Sequence, residues 1–130
     1  MKYMLIKDSY YKHDWGIIEY NEKTKQFRIY IRKDKKFKVY PIFMQAMVYR
    51  HKEFVIEPNL AMQWVKERLI PSYRQNIDTI LSSLGLSEYD EYELLKAGNG
   101  KCPQDDIYLK WLTPDETHRY ANEYNIALQS

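Results

Sequence analysis

Two arginines flanking a proline are the residues whose types and spacing point most clearly to a polar site. Arg68 and Arg74 lie on either side of Pro71. A guanidinium beside a turn can hold a carboxylate and loop carbonyls with its rigid fork of N–H donors. We therefore predict a structural brace, for which the candidate carboxylate partners are Asp78, Asp105 and Asp106. The predicted brace comprises Trp64, Arg68, Pro71, Arg74, Asn76, Asp105 and Asp106. An anion site at the N-terminus of the next helix is the alternative.

The carboxylate pair Asp105 and Asp106 directly precedes an apolar segment that is typical of a strand. Neighbouring residues on a strand point to opposite faces, so these two carboxylates are poorly placed to share one metal ion. We interpret one of them as the cap of a turn or as a partner of Arg68 or Arg74. General acid–base catalysis is the alternative interpretation.

Other catalytic and metal-binding patterns are weak. Cys102 follows a glycine turn, but its surroundings match no catalytic pattern, and we interpret it as a passive loop cysteine. The histidines His13, His51 and His118 are not spaced as the ligands of a zinc site are. The sequence contains no GxSxG, phosphate-binding loop or GxGxxG motif. We predict no metal, no cofactor and no enzymatic activity, and a small enzyme using Cys102 or the aspartate pair is a third hypothesis.

A run of cations between residues 23 and 38 is the clearest surface signal, with a single acidic residue, Asp34. Cations interleaved with an aromatic ring can follow a phosphate backbone and stack a base. The candidate contact residues for nucleic acid or a partner are Lys25, Arg28, Tyr30, Arg32, Lys33, Lys35, Lys36 and Lys38. A solvated hairpin whose lysines block strand pairing is the competing interpretation. Contact with an acidic protein, or with the acidic segment 88–93 of a second copy, is a further alternative.

The chain of 130 residues has the usual length of one domain. Residues 1–65 carry 13 Lys or Arg and 7 Asp or Glu, a net charge of +6; residues 66–130 carry 7 and 11, a net charge of −4. The two halves are therefore expected to present opposite electrostatic fields, which matter more for the choice of partner than the total net charge does. A single cysteine and the lack of a signal segment predict a cytoplasmic protein. No apolar run approaches the ~20 residues of a membrane span, so we expect no membrane association.

Alternation of apolar and polar residues predicts the strands. Residues 26–32 alternate strictly, with Phe27, Ile29 and Ile31 on one face and Tyr30 on the other. The short polar linker 21–25 predicts an antiparallel hairpin with the strand at residues 15–20. Further strands or extended segments are predicted at residues 3–7, 53–56 and 106–112, with a helix as the alternative for the last of these.

Helices are predicted from apolar spacing and from their end signals. Thr113 and Glu116 form a capping box for a last helix, Gly85 suits a left-handed stop, and Ser87 with Asp90 resembles a capping pair. The predicted helices span residues 41–52, 58–70, 75–84, 87–97 and 114–124. We therefore predict an α+β fold, in which a small antiparallel sheet of the N-terminal hairpin and one or two further strands packs against three to five helices.

The segment 60–109 resembles two groups of known proteins. The residues that carry the resemblance are Trp64, Arg68, Pro71, Arg74, Asn76, Ile77, Ile80, Leu81, Gly85, Leu86, Gly100, Asp105 and Asp106. They resemble uncharacterised small proteins of Gram-positive gut bacteria and their mobile elements. They also resemble the segment that precedes the kinase core of HipA-like toxin kinases. Because the chain has no glycine-rich loop and no catalytic Asp and Asn pairing, the resemblance implies a companion or regulatory module and carries over no catalytic residue.

These observations favour a non-enzymatic protein-binding module of a bacterial or mobile-element system, acting as an accessory, antitoxin-like or inhibitor protein. One alternative is a nucleic-acid-binding module that uses the basic hairpin 23–38. Another is an inhibitor of a host defence nuclease, encoded by a phage or mobile element and similar in role to anti-CRISPR proteins. A protein partner is expected, and a homodimer is an open alternative.

Overall fold

The computed structural model describes residues 1–33 and 40–129, which form an α+β fold around one antiparallel sheet. The strands are β1 (Lys2–Asp8), β2 (His13–Asn21), β3 (Gln26–Ile31), β4 (Val55–Ile56) and β5 (Ile107–Trp111). They are ordered β4-β3-β2-β1-β5, and all neighbours are antiparallel. The predicted fold class and the hairpin between β2 and β3 are confirmed. The sheet is larger than a hairpin with one or two further strands.

Helices connect and cover the strands. They are α1 (Ile42–Gln45), which continues as a π-helix (Ala46–His51), then α2 (Pro58–Glu67), α3 (Ile77–Ser83), α4 (Glu91–Ala97) and α5 (Pro114–Glu123). The predicted capping box of α5 is present, with reciprocal bonds between Thr113 and Glu116. Gly85 follows α3 with a φ of 76°, as predicted for a left-handed stop.

The start of α4 differs from its prediction. Ser87 does not begin this helix, because its first helical residue is Glu91. The extended backbone of Asp90 lets its carboxylate accept a hydrogen bond from the backbone N–H of Glu93 at 2.9 Å. Asp90 alone therefore acts as the N-cap, and residues 87–89 form a non-helical segment before the helix.

Apolar residues cover both faces of the sheet. One face carries Met4, Ile18 and Ile29, which pack in the main core with residues of α1, α2 and α4. The opposite face carries Leu5 and Ile17, which pack against α5 and the C-terminal segment. Strict alternation along the strands produces this division. The sheet is thus a central layer that positions the loops at its edges.

A β-bulge in β2 places a tryptophan beside the turn between β1 and β2. The pairing of β1 with β2 passes from Ile6↔Gly16 to Lys7↔Asp14, which leaves Trp15 as the extra residue. The Trp15 indole N–H donates to the Asp8 carboxylate at 3.0 Å, and its ring packs in the main core. The bulge therefore ties the end of β1 to the core.

Burial of tyrosine hydroxyls predicts loss of stability at alkaline pH. Burial is the first cause of a raised pKa at Tyr20, Tyr30, Tyr89, Tyr92 and Tyr124. For Tyr20 the pKa rises to about 12. Unfolded tyrosines ionise near pH 10, whereas the folded chain holds these protons, so the free energy of unfolding should fall as the pH rises from about 10 to 12.

Denaturant unfolding at a series of pH values measures this loss. The Tyr20→Phe variant should show a shallower decline, because it removes one of the linked protons. A free energy of unfolding that stays constant above pH 10 would contradict the expected linkage.

None of the helices in residues 1–33 and 40–129 combines the length and the apolar character needed to cross a membrane.

Candidate functional site

Arg68 joins the end of α2 to the loop that leads into β5. Its Nη1 and Nη2 donate to the two carboxylate oxygens of Asp105 at 2.6 and 3.0 Å. Its Nε donates to the carbonyl of Gly100 at 2.8 Å, and Nη2 also donates to the carbonyl of Ile107 at 2.9 Å. The side chain of Arg68 is only 3% exposed. This bidentate pair and its two carbonyl bonds fix the loop against the helix.

Trp64 completes the surroundings of Arg68. The Arg68 Cζ lies 4.7 Å from the centroid of the Trp64 ring, and Phe43 stacks on that ring at a centroid distance of 4.6 Å. Trp64 is buried. Of the predicted brace, the structure therefore brings together Trp64, Arg68 and Asp105.

Arg74 does not belong to this arrangement. Its side chain is exposed, and within residues 1–33 and 40–129 no ion pair joins it to a carboxylate. Pro71 is also exposed, and Asn76 precedes α3 in a left-handed conformation without a side-chain capping bond. The prediction of a brace role for Arg74 is wrong, because its side chain faces solvent and, among the described residues, Asp105 is paired with Arg68 instead.

Asp106 contributes through its backbone. Its carbonyl accepts hydrogen bonds from the backbone N–H of Ser9 at 3.0 Å and from the Ser9 hydroxyl at 3.1 Å. The carboxylate of Asp106 is exposed and forms no ion pair within the described part of the chain. The two neighbouring aspartates therefore have different roles, with Asp105 held by Arg68 and Asp106 facing solvent.

The alternative of an anion site at the start of α3 gains no support. Asp78 lies in the first turn of this seven-residue helix. A carboxylate there already complements the positive end of the helix dipole and repels a second anion.

Two central residues of the predicted nucleic-acid surface, Arg28 and Tyr30, make contacts within the chain. Arg28 approaches the carboxylates of Glu57 at 3.3 Å and Glu19 at 3.6 Å. Tyr30 is 1% exposed, donates to Glu19 at 3.2 Å and accepts from the backbone N–H of Gln129 at 3.1 Å. The prediction that Tyr30 lies on an open strand face is wrong, because the C-terminal segment covers that face.

Arg32 and Lys33 also contact the fold. The Arg32 guanidinium lies 4.2 Å from the centroid of the Tyr124 ring and donates to the carbonyl of Asp14 at 3.3 Å. The Lys33 ammonium lies 5.8 Å from the centroid of the Phe54 ring. Arg32 in particular is held by its own chain and is poorly placed to follow a phosphate backbone.

The remaining lysines among the candidate contact residues divide into two groups. Lys25 is two-thirds exposed, and its ammonium lies 4.0 Å from the carboxylate of Asp90. Lys35, Lys36 and Lys38 lie outside the described residues. Of the candidate contact residues, Lys25 and Lys33 are the two whose described side chains are exposed.

Four segments that are distant in sequence enclose a cavity of about 700 Å³, which we call the aromatic cleft. They are the β1–β2 turn, the start of α1, the end of α2 and the loop before β5. The lining includes Asp8, Tyr11, Trp15, Tyr40, Ile42, Phe43, Trp64, Glu67, Arg68, Cys102, Asp105 and Asp106. Its size lies in the range of ligand-binding cavities, roughly 300–1,000 Å³.

The rim of the aromatic cleft exposes large apolar side chains. Ile42 is 86% exposed and Tyr11 is 64% exposed. Tyr10 is 71% exposed and packs edge-on against Tyr11 at a centroid distance of 4.9 Å. Deeper in the cleft, Trp15 and Tyr40 are almost fully buried. The apolar surface thus continues from the core to the solvent.

Asp8 fixes the turn that presents this rim. One of its carboxylate oxygens accepts from the backbone N–H groups of Tyr10 at 2.9 Å and Tyr11 at 3.0 Å, and the other accepts from Trp15. Asp8 is 8% exposed. Side-chain bonds of this kind from an aspartate to the following backbone stabilise turns. The exposed tyrosines are therefore carried on an ordered turn.

The catalytic candidates in the aromatic cleft are poorly arranged for proton transfer. Both oxygens of Asp105 are bound to Arg68, and one also accepts from the backbone N–H of Ile107 at 3.0 Å. The Cys102 thiol donates to the side-chain oxygen of Gln104, which is not a base. In residues 1–33 and 40–129, no group of three or more His, Cys, Asp or Glu is placed to hold a metal ion.

The sequence predictions missed Asp8, Tyr11 and Ile42. Asp8 followed by a polar residue and two tyrosines is typical of an ordered turn that displays aromatic rings. That local signal could have been found, whereas the meeting of the turn with α1 depends on tertiary packing. Comparison with protein-family models, with curated proteins and with solved structures found no match to this chain.

Proposed function

We propose that this chain is a non-enzymatic protein-binding module, of the accessory, antitoxin-like or inhibitor kind, that contacts its partner through the aromatic cleft. The observation that carries the proposal is the exposure of Ile42 and Tyr11, at 86% and 64%, beside buried aromatic rings. Exposed apolar side chains around a concavity are typical of sites that another molecule covers. An inhibitor of a host defence nuclease is one form that such a module takes.

The construction of the aromatic cleft supports a protein partner. Aromatic residues bury a large area for few rotatable bonds and are common among the residues that dominate protein interfaces. Arg68 fixes the loop on one side of the cleft, and Asp8 fixes the turn on the other. A surface that is ordered before binding loses little conformational entropy when the partner docks.

The contacts of the basic hairpin weigh against the nucleic-acid alternative. Base stacking needs an open aromatic face, and Tyr30 is buried. Arg28 approaches two carboxylates of its own chain, which lowers its gain from binding a phosphate. At the aromatic cleft, by contrast, Ile42 and Tyr11 are largely exposed.

Site-specific photo-cross-linking tests the proposed function. A benzoylphenylalanine at position 42, at the rim of the aromatic cleft, should give a discrete covalent product with one protein in lysate of the source cells. Leu84 is also apolar, is 45% exposed and does not line the cleft, so the same reagent at position 84 is the matched control. It should not give that product.

Competition then links the product to the surface. Unlabelled protein should suppress the cross-link, whereas a competitor carrying Tyr11→Ser and Ile42→Ser should fail to do so. A competitor carrying Tyr73→Ser and Leu84→Ser removes matched residue types elsewhere, since Tyr73 is 88% exposed, and should compete normally. Equal products from positions 42 and 84, or equal competition by both variants, would count against the proposed function.

A further inference from the structure

Resting on this proposed function, we infer that the aromatic cleft takes a basic segment of the partner protein, in which a Lys or Arg lies next to a bulky apolar residue. This inference rests on the negative charge of the residues that line the cleft. Among the described residues that line the cleft, four carry a carboxylate (Asp8, Glu67, Asp105 and Asp106) and one, Arg68, carries a cation. With these groups ionised, their net charge is −3, whereas the whole chain has a net charge of +2.

Arg68 leaves most of this negative charge unbalanced. Its bidentate contact is made with Asp105. Asp8 accepts its hydrogen bonds from neutral donors, and neither Glu67 nor Asp106 forms an ion pair with a cation in residues 1–33 and 40–129. A positively charged side chain entering the cleft would therefore meet complementary charge.

The apolar side chains at the rim indicate that the bound segment also has a bulky apolar side chain. Ile42 and Tyr11 are exposed at the same cavity that Glu67 and Asp106 line. A small cation alone would leave this apolar surface in water, whereas a bulky side chain beside the Lys or Arg would cover it. Burial of apolar area contributes about 25 cal/mol per Å², and the cation selects the partner and its register.

A displayed library of random short peptides, selected on the full chain, tests this inference. The enriched peptides should place Lys or Arg beside a bulky apolar residue. The net charge of +2 opposes general attraction of basic peptides, so their enrichment requires a local anionic site. The affinity of an enriched peptide should fall roughly tenfold or more in the variant Glu67→Lys with Asp106→Lys, because two attractions become repulsions.

A matched variant separates local charge from total charge. Glu88→Lys with Glu123→Lys changes the net charge by the same amount at exposed positions that do not line the aromatic cleft, and it should keep the wild-type affinity. Circular dichroism of both variants should show the wild-type helix and strand content. Equal losses in the two variants would overturn the inference.

The remaining outcomes distinguish this inference from the proposed function. Neutral or acidic peptides whose binding is lost with Tyr11→Ser and Ile42→Ser would overturn the basic-segment inference and leave the proposed function standing. Sedimentation that shows self-association, abolished by Glu67→Lys with Asp106→Lys, would overturn it by assigning the cleft to a second copy. Enriched peptides insensitive to every substitution in the cleft would overturn it and also count against the proposed function.

Discussion

Replacing Arg68 by methionine should lower the free energy of unfolding by about 3 kcal/mol, near the lower end of the range for breaking a buried ion pair. The substitution leaves the carboxylate of Asp105 and the carbonyls of Gly100 and Ile107 without their guanidinium donor. Asp105 is 36% exposed and can recover part of its hydration, which keeps the loss below ~5 kcal/mol. Urea unfolding followed by circular dichroism measures the change.

Arg74→Met is the matched control, because it makes the same chemical change on an exposed side chain. Its effect should stay within about 0.5 kcal/mol. Arg68→Lys should recover only a minor part of the lost stability, since an ammonium cannot reproduce the bidentate fork. Equal effects of Arg68→Met and Arg74→Met would contradict the assignment of the brace to Arg68.

Replacing Gly16 by alanine should also lower the free energy of unfolding by about 3 kcal/mol, the upper part of the usual range for overpacking. A Cβ atom at position 16 would lie 2.0 Å from the backbone carbonyl oxygen of Tyr30. That oxygen belongs to β3, which pairs with β2 at this point, so relief of the clash must separate the two strands. Thermal and urea unfolding should both show the loss.

Gly98→Ala provides the contrast for this second substitution. Gly98 has a φ of −97°, and the nearest atom to an added Cβ is 3.8 Å away. Alanine there should leave stability unchanged or raise it by up to ~1 kcal/mol, because it reduces the freedom of the unfolded chain. A similar loss from Gly16→Ala and Gly98→Ala would refute the steric explanation.

Local sequence signals predicted most of the elements. Alternation located β3, and the capping box located α5, because both depend on residues that are close in the chain. The burial of Tyr30 could not be predicted in this way. Alternation distinguishes the two faces of a strand, but the C-terminal segment that covers the second face lies about 100 residues further along.

Local sequence signals also could not predict which residues come together at the candidate site. The spacing of Arg68 and Arg74 around Pro71 identified a polar turn, yet only Arg68 reaches Asp105. Which of the two arginines turns inward depends on the path of the chain after α2. The aromatic cleft joins four segments that are distant in the sequence, so no local pattern could have revealed the net negative charge of its described lining.

Hydrogen–deuterium exchange of the whole chain, with and without the partner captured by the cross-linker at position 42, tests the central claim most directly. If the aromatic cleft is the docking surface, the partner should slow exchange at residues 9–12, 40–45 and 102–107 and leave residues 22–29 unchanged. Protection confined to residues 22–33 would contradict the claim and assign binding to the basic hairpin.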